Sequence, residues 1–259
     1  MSADCQVWVI DDDKVYCSHQ GLPHAFVSSP DCLGAWGFLL GAKRYAISQQ
    51  AASALNWNLA FGEFLSYRHL LSRLNSLDAH HLLLAIWLLA WQQNHRFCGG
   101  CGSKFLSSNS YVHHCVVCSR SFYPPIQPCV IVAITRVCPN TNQPQILLAR
   151  HHRHKNTGIY GLIAGFVEVG ETLEMAVHRE VFEETGLSIT PPTYIASQPW
   201  PYPANLMVGF VAQYQSGSLR VQDDELITAD FFDINRLPAI PPKGSIAHRL
   251  ITLVCQTTP

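Results

Sequence analysis

Four cysteines set the tightest constraint on this chain. The stretches RFCGGCGSKF and HHCVVCSRSF carry Cys98-x2-Cys101, then thirteen residues, then Cys115-x2-Cys118. Each pair spans a tight turn, the first eased by Gly99, Gly100 and Gly102, so two sulfurs converge on one point. Two such turns supply four thiolates, the tetrahedral set that structural Zn²⁺ prefers, and a closed set of four leaves no position for chemistry. The segment is too short for a core of its own, and metal binding of this kind supplies on the order of 10–16 kcal/mol of folding energy. Disulfides or idle thiols are the alternative. His95, His113 and His114 flank the cysteines, but with four thiolates filling the shell they read as supporting or surface residues.

The other six of ten cysteines are scattered and read as ordinary buried thiols. The first residues, MSADCQVWVIDDDK, are mixed and acidic, without the pattern of a secretory signal. The expected compartment is therefore the reducing cytoplasm, where clustered cysteines bind metal. The longest apolar run, Leu82 to Trp91, is half the roughly 20 residues of a membrane span. It reads as a buried helix or one half of a subunit contact. A net charge of −1 argues against binding nucleic acid through a broad basic surface.

Three regions follow: an N-terminal domain over 1–95, the cysteine segment over 96–124, and a mixed α/β domain over 125–259. In the first, helices are expected near 45–75 and 78–94, the latter capped by Asp78. In the third, PCVIVAITR and QILLAR flank the turn-rich CPNTNQP and predict a hairpin. A helix over 172–185, strands at ASQ, LMVGFVAQY and ADFFDI, and a last helix near 245–256 complete an arrangement of helices packed on a sheet.

Only 14% of the residues are charged, yet REVFEETGL crowds three glutamates into nine positions. Glu180, Glu183 and Glu184 fall on adjacent positions of one helical face. Ala176, Val177 and Val181 form a separate apolar stripe, Glu171 stands at the positive helix end, and Gly186 suits the left-handed cap. Arg179 reaches Glu183 at i+4. The face is either solvated or built for hard, oxygen-seeking Mg²⁺ or Mn²⁺.

The pattern Gly165-x5-Glu171-x7-Arg179-Glu180-Val181-x-Glu183-Glu184-x-Gly186-Leu187 resembles the Nudix box at every defined position. The resemblance implies the Nudix α/β/α sandwich with a mixed sheet, here behind a four-cysteine zinc ribbon and a small α+β N-terminal domain. It implies hydrolysis of a nucleoside diphosphate linked to another group. Glu180 and Glu184 are then metal ligands, Glu183 a further ligand or the base, and the Ala164 carbonyl part of the metal shell.

SQPWPYPANLM, at 197–207, is similar to the array of the NADH pyrophosphatases, also known as NAD-capped RNA hydrolases, and the preceding cysteine segment is their second hallmark. The likeness covers at least 96–258. It implies substrate contact by Gln198, Pro199, Trp200, Pro201, Tyr202, Pro203, Ala204 and Asn205, with prolines stiffening an extended path and aromatic rings facing a nucleotide. Tyr202 and Asn205 depart from the usual Phe and Ser. Shorter matches give Tyr123 and Phe166 as a base sandwich, Ala247 as a pocket-lining residue, Arg68 as a phosphate contact and Glu225 as a late metal ligand or a turn cap. Pro125 departs from a usually polar position, and SSNSYV shows no clear acidic contact. The loop HHRHK either attracts phosphate or is solvated. The implied reaction is cleavage of NAD(H), or of an NAD cap on RNA, by a homodimer with no membrane attachment. Its rivals are a Nudix hydrolase of ADP-ribose or diadenosine polyphosphates and a catalytically silent zinc-ribbon module that binds RNA or protein.

Overall fold

The computed structural model describes residues 5–18, 25–27, 38–41, 44–71, 73–106, 111–152, 157–200, 204–221 and 225–257. The chain divides into two compact units, one of Met1–Ile126 with Pro201–Ala204, the other of Gln127–Trp200 and Asn205–Pro259.

The first unit contains β1 (Cys5–Asp11), β2 (Lys14–Ser18), β3 (Ala25–Val27), β4 (Phe38–Gly41), β5 (Arg44–Ser48), α1 (Gln49–Ala54), β6 (Gly62–Ser66), α2 (Tyr67–Leu71) and α3 (Ser76–Asn94), then the short β7 (His113–His114) and β8 (Ser121–Phe122). The apolar run VWVI becomes the centre of β1, with Val7 and Val9 wholly buried. β1 pairs parallel to β5 and antiparallel to β2 and β3. The helix expected across 45–75 is corrected: among the described residues of that stretch, Gln49–Ala54 and Tyr67–Leu71 alone are helical. RYAIS and GEFLS form strands because pairing with β1 and β2 satisfies their backbone groups. The cap of α3 is likewise Asn75, not Asp78. Asn75 Oδ1 accepts the Asp78 N–H at 2.9 Å, and Asn75 Nδ2 donates to the Asp78 carboxylate at 2.7 Å. Leu82, Leu83, Ala85, Ile86, Leu88, Leu89 and Trp91 of α3 are all buried within the chain, so the apolar run fills its own core and is not an open subunit face. Among the described residues no helix is long and apolar enough to cross a membrane.

The second unit is built on β9 (Gln127–Val137), β10 (Pro144–His151), β11 (Ile163–Phe166), α4 (Leu173–Thr185), β12 (Leu187–Ile189), β13 (Thr193–Trp200), β14 (Asn205–Gly217), β15 (Leu226–Asp233) and α5 (Ile246–Thr257). Its seven strands form one mixed sheet: β9 runs parallel to β14 and antiparallel to β10 and β11. The expected hairpin is present, closed by Cys138 N–H to Gln143 O at 2.8 Å.

Alternation along β9 assigns its two faces. Val130, Val132 and Ile134 pack in one core with Ala176, Val177 and Val181 of α4. Ile131 and Ala133 pack in another with Ile246, Leu250, Ile251 and Val254 of α5. One helix on each face makes the expected α/β/α sandwich. Each buried valine or leucine contributes about 1.5–3 kcal/mol, so the two stripes fix the rotation of both helices. α4 starts at Thr172, whose hydroxyl accepts the Met175 N–H, and ends at Gly186 with φ 68°.

Candidate functional site

The rotation of α4 sorts its carboxylates by depth. With Ala176, Val177 and Val181 wholly buried, Glu184 on the flank of that stripe is 1% exposed. Glu183 points outward, its side chain 52% exposed, while the Glu180 side chain is 13% exposed. Glu180 lies against β11: a β-carbon at Gly165 would overlap its carboxylate. Burial pushes the Glu180 carboxyl above its usual range, Arg179 opposes this, and the charges of Glu183 and Glu225 add to it. Glu225, exposed just before β15, thus belongs to the same electrostatic cluster.

Arg179 holds this cluster together. Its Nη1 donates to Glu180 at 2.9 Å and to Glu183 at 3.0 Å. Its Nε and Nη2 grip Glu171 at 2.6 and 2.9 Å, and Nη2 also donates to the Phe166 carbonyl at 2.8 Å. Hydrogen bonds from Arg179, then from the Glu168 N–H, hold the Glu171 carboxyl at about 2. Glu171 therefore acts as the anchor of Arg179, a correction to its expected place as a helix-end charge: α4 begins two residues later. One guanidinium nitrogen lies about 3 Å from two carboxylates, so a positive charge is stabilised between Glu180 and Glu183. The donor set is all oxygen and one member is buried, which fits a hard divalent cation. Among the described residues, the four cysteines alone form a group of metal-binding type with all ligand atoms in mutual reach.

The aromatic array forms an edge of the sheet. Gln198, Pro199 and Trp200 lie in β13, opposite Met207, Leu206 and Asn205 of β14. Pro201, Tyr202 and Pro203 fall outside the described residues, as do Arg153, His154 and Lys155 of the HHRHK loop. Ala204 occupies the turn. Asn205 is 6% exposed and among the described residues its Oδ1 has no hydrogen-bond partner. Phe166 is 44% exposed at the end of β11, and Ala164 and Ala247 sit half-buried beside the α5 core. In the first unit Tyr123 is 67% exposed. Arg68 stands 4.0 Å from Asp13 and over the Tyr67 ring.

Sequence reading missed two contacts here. It placed Gly165 in the Nudix-box pattern without a contact, whereas the residue makes room for Glu180. It also gave Gln198 no partner within the chain, whereas both ends of its amide bond the backbone 46 and 48 residues away. No local pattern signals pairings of that separation.

The cysteines form twin turns. Gly102 N–H bonds Cys98 O and Ser119 N–H bonds Cys115 O, while Cys98 N–H bonds Ser103 O and Cys115 N–H bonds Arg120 O. Each turn closes on a positive φ, 74° at Gly102 and 58° at Ser119. All four sulfurs lie within 4.8 Å of one another, with Cys98–Cys118 and Cys101–Cys115 each at 3.5 Å. A tetrahedron with ~2.3 Å metal–sulfur bonds has edges of about 3.8 Å, so the cluster can hold a metal ion such as zinc. Of the three histidines, His114 is exposed and bonds Ser121 at 2.9 Å. His113 is buried, stacked between Trp91 at 4.0 Å and Phe105 at 4.8 Å, and burial lowers its pKa. It acts as an apolar slab joining the turn to α3.

Comparison with known proteins follows this geometry. Residues 128–253 match the family model of the NUDIX domain. The chain is 39% identical over 256 residues to the NAD-capped RNA hydrolase NudC of Erwinia tasmaniensis, covering 97% of this chain and 92% of that one. It is 48% identical over 167 residues to the NAD-capped RNA hydrolase NudC of Edwardsiella ictaluri, spanning 64% of this chain and 62% of that relative's length. The crystal structure of a NUDIX hydrolase from Nitrosomonas europaea shares the fold at a TM-score of 0.50 and 20% identity, over 63% of this chain and 92% of that one.

Proposed function

Because the chain belongs to the Nudix family, we propose that it hydrolyses the diphosphate of NAD(H) to nicotinamide mononucleotide and AMP, and removes NAD caps from RNA to leave a 5′-monophosphate. The observation that carries this reading is the extent of the likeness to NudC of Erwinia tasmaniensis. It runs over 256 residues and so takes in the cysteine turns and N-terminal unit as well as the hydrolase domain. The proposal keeps the division into 1–95, 96–124 and 125–259, a homodimeric assembly and a cytoplasmic location.

Glu180, Glu183, Glu184, Glu225 and the Ala164 carbonyl would hold Mg²⁺ or Mn²⁺, which supplies charge neutralisation of the diphosphate and a more acidic water. Arg179 fixes the Glu180 and Glu183 carboxylates in orientation, and Glu183, more exposed than Glu180 and Glu184, takes the proton of the attacking water. Water adds to one phosphorus, the bridging P–O bond breaks, and each product leaves as a monophosphate. Phe166, Tyr123, Arg68, Ala247 and the 199–205 segment bind the dinucleotide, and Asn205 Oδ1 offers an acceptor to a ligand hydroxyl or amide.

The test offers NADH, NAD-capped RNA and ADP-ribose to the purified protein with Mg²⁺ or Mn²⁺ and resolves the products by chromatography. Reduced mononucleotide with AMP, and 5′-monophosphate RNA, are expected. Cleavage of ADP-ribose alone would overturn the assignment in favour of another Nudix specificity. A second expectation concerns Gly165→Ala. The new methyl displaces the Glu180 carboxylate, and misplacement of that order costs about 100-fold in rate. Paired turnover and melting measurements check it; a variant with wild-type turnover would show that the close contact is irrelevant to catalysis.

A further inference from the structure

Gln198 reaches from β13 to the turn that opens α5. Its Oε1 accepts the Ile246 N–H at 2.7 Å and its Nε2 donates to the Gly244 carbonyl at 2.7 Å. The amide orientation follows from its neighbours, since Ile246 presents a donor and Gly244 an acceptor. The first N–H groups of a helix have no partner inside it. Ser245 Oγ accepts one, from His248 at 3.2 Å, and donates to Pro242 O at 2.9 Å. Gln198 takes the first, from a strand rather than from the helix's own flank. Beneath the same turn lies Gly209 of β14, where a β-carbon would stand 2.9 Å from Ile246 Cδ1 and 3.1 Å from Leu250 Cδ1. The helix start is therefore seated on a glycine below and clipped by an amide at its rim.

We propose that Gln198 is a positioning residue: its amide locks the Gly244–Ala247 turn, and thereby the pocket wall formed by Ala247, rather than bonding the dinucleotide. This rests on the functional reading above, in which Ala247 lines the pocket. With both ends of the amide engaged by backbone, the side chain is placed by the protein before any ligand arrives. Such preorganisation acts on substrate affinity.

Hydrogen exchange on the ligand-free protein tests the clip directly. Gln198→Met, of similar length but without hydrogen bonds, is expected to speed exchange across 244–248 by about tenfold. Gln198→Glu, which keeps an acceptor for the Ile246 N–H but sets its second oxygen against the Gly244 carbonyl, is expected to slow exchange at Ile246 alone. In turnover assays Gln198→Met raises KM about tenfold and leaves kcat within about twofold, and its effect is non-additive with that of Ala247→Val. Unchanged exchange at 244–248, or strict additivity with Ala247→Val, would overturn the proposal and return Gln198 to direct ligand contact. Failure of the functional reading shows itself separately, as wild-type protein inert toward NADH and capped RNA.

Discussion

Glu183→Gln is expected to lower kcat by about 10²–10⁴-fold while moving Tm by less than about 2 °C. The two halves of this expectation come from different parts of the molecule. The Glu183 side chain is 52% exposed and it pairs with Arg179, four residues earlier. Exposed pairs of that spacing contribute about 0.3–0.5 kcal/mol, and Arg179 retains Glu171, Glu180 and the Phe166 carbonyl without it. If the acidic face were only a solvated helix surface, the amide would be silent in both measurements. If Glu183 takes a proton from water, or shares a cation, loss of its charge removes a transition-state interaction and leaves the fold standing. Steady-state kinetics with NADH, alongside thermal melts, separate the cases. Wild-type turnover in Glu183→Gln would remove this residue from the chemistry.

How much of this site was legible beforehand depends on the range of the interactions. The features of α4 rest on contacts within four residues, so the apolar stripe, the Gly186 cap and the Arg179–Glu183 pair all follow from helical spacing. The cysteine turns are equally local. The sheet faces were legible in outline because alternation in VIVAIT leaves each side of β9 an apolar surface to cover. What escaped is non-local. RYAIS reads as part of a helix until β1 is there to pair with it. Gly165 is only a position in a motif until α4 brings Glu180 against it. In each case residue propensity was overruled by a partner that only the folded chain supplies.

Removal of metal from the cysteine cluster is expected to abolish hydrogen-exchange protection across residues 96–122. Among the described residues the secondary structure there amounts to β7 and β8, two residues each, and an isolated bridge between Phe97 and Lys104, far below the three or more strands that stand alone in water. Exposed Phe97, Leu106, Val116 and Val117 contribute little burial. Covalent-strength restraint must come from the sulfurs, and four-thiolate binding of zinc is worth about 10–16 kcal/mol in comparable small modules. Cys115→Ser should reproduce the effect of a chelator, because three ligands and a hydroxyl no longer close the tetrahedron. The His113 slab transmits the loss to Trp91, so indole fluorescence in α3 should shift as metal leaves. Elemental analysis should find one zinc per chain before chelation and none after. The α4 amides serve as the internal control, since the cores that hold that helix and α5 draw only on residues from Val130 onward. Protection of 96–122 that survives complete metal removal would mean that the cysteine turns stand on packing alone, and the zinc assignment would fall with it.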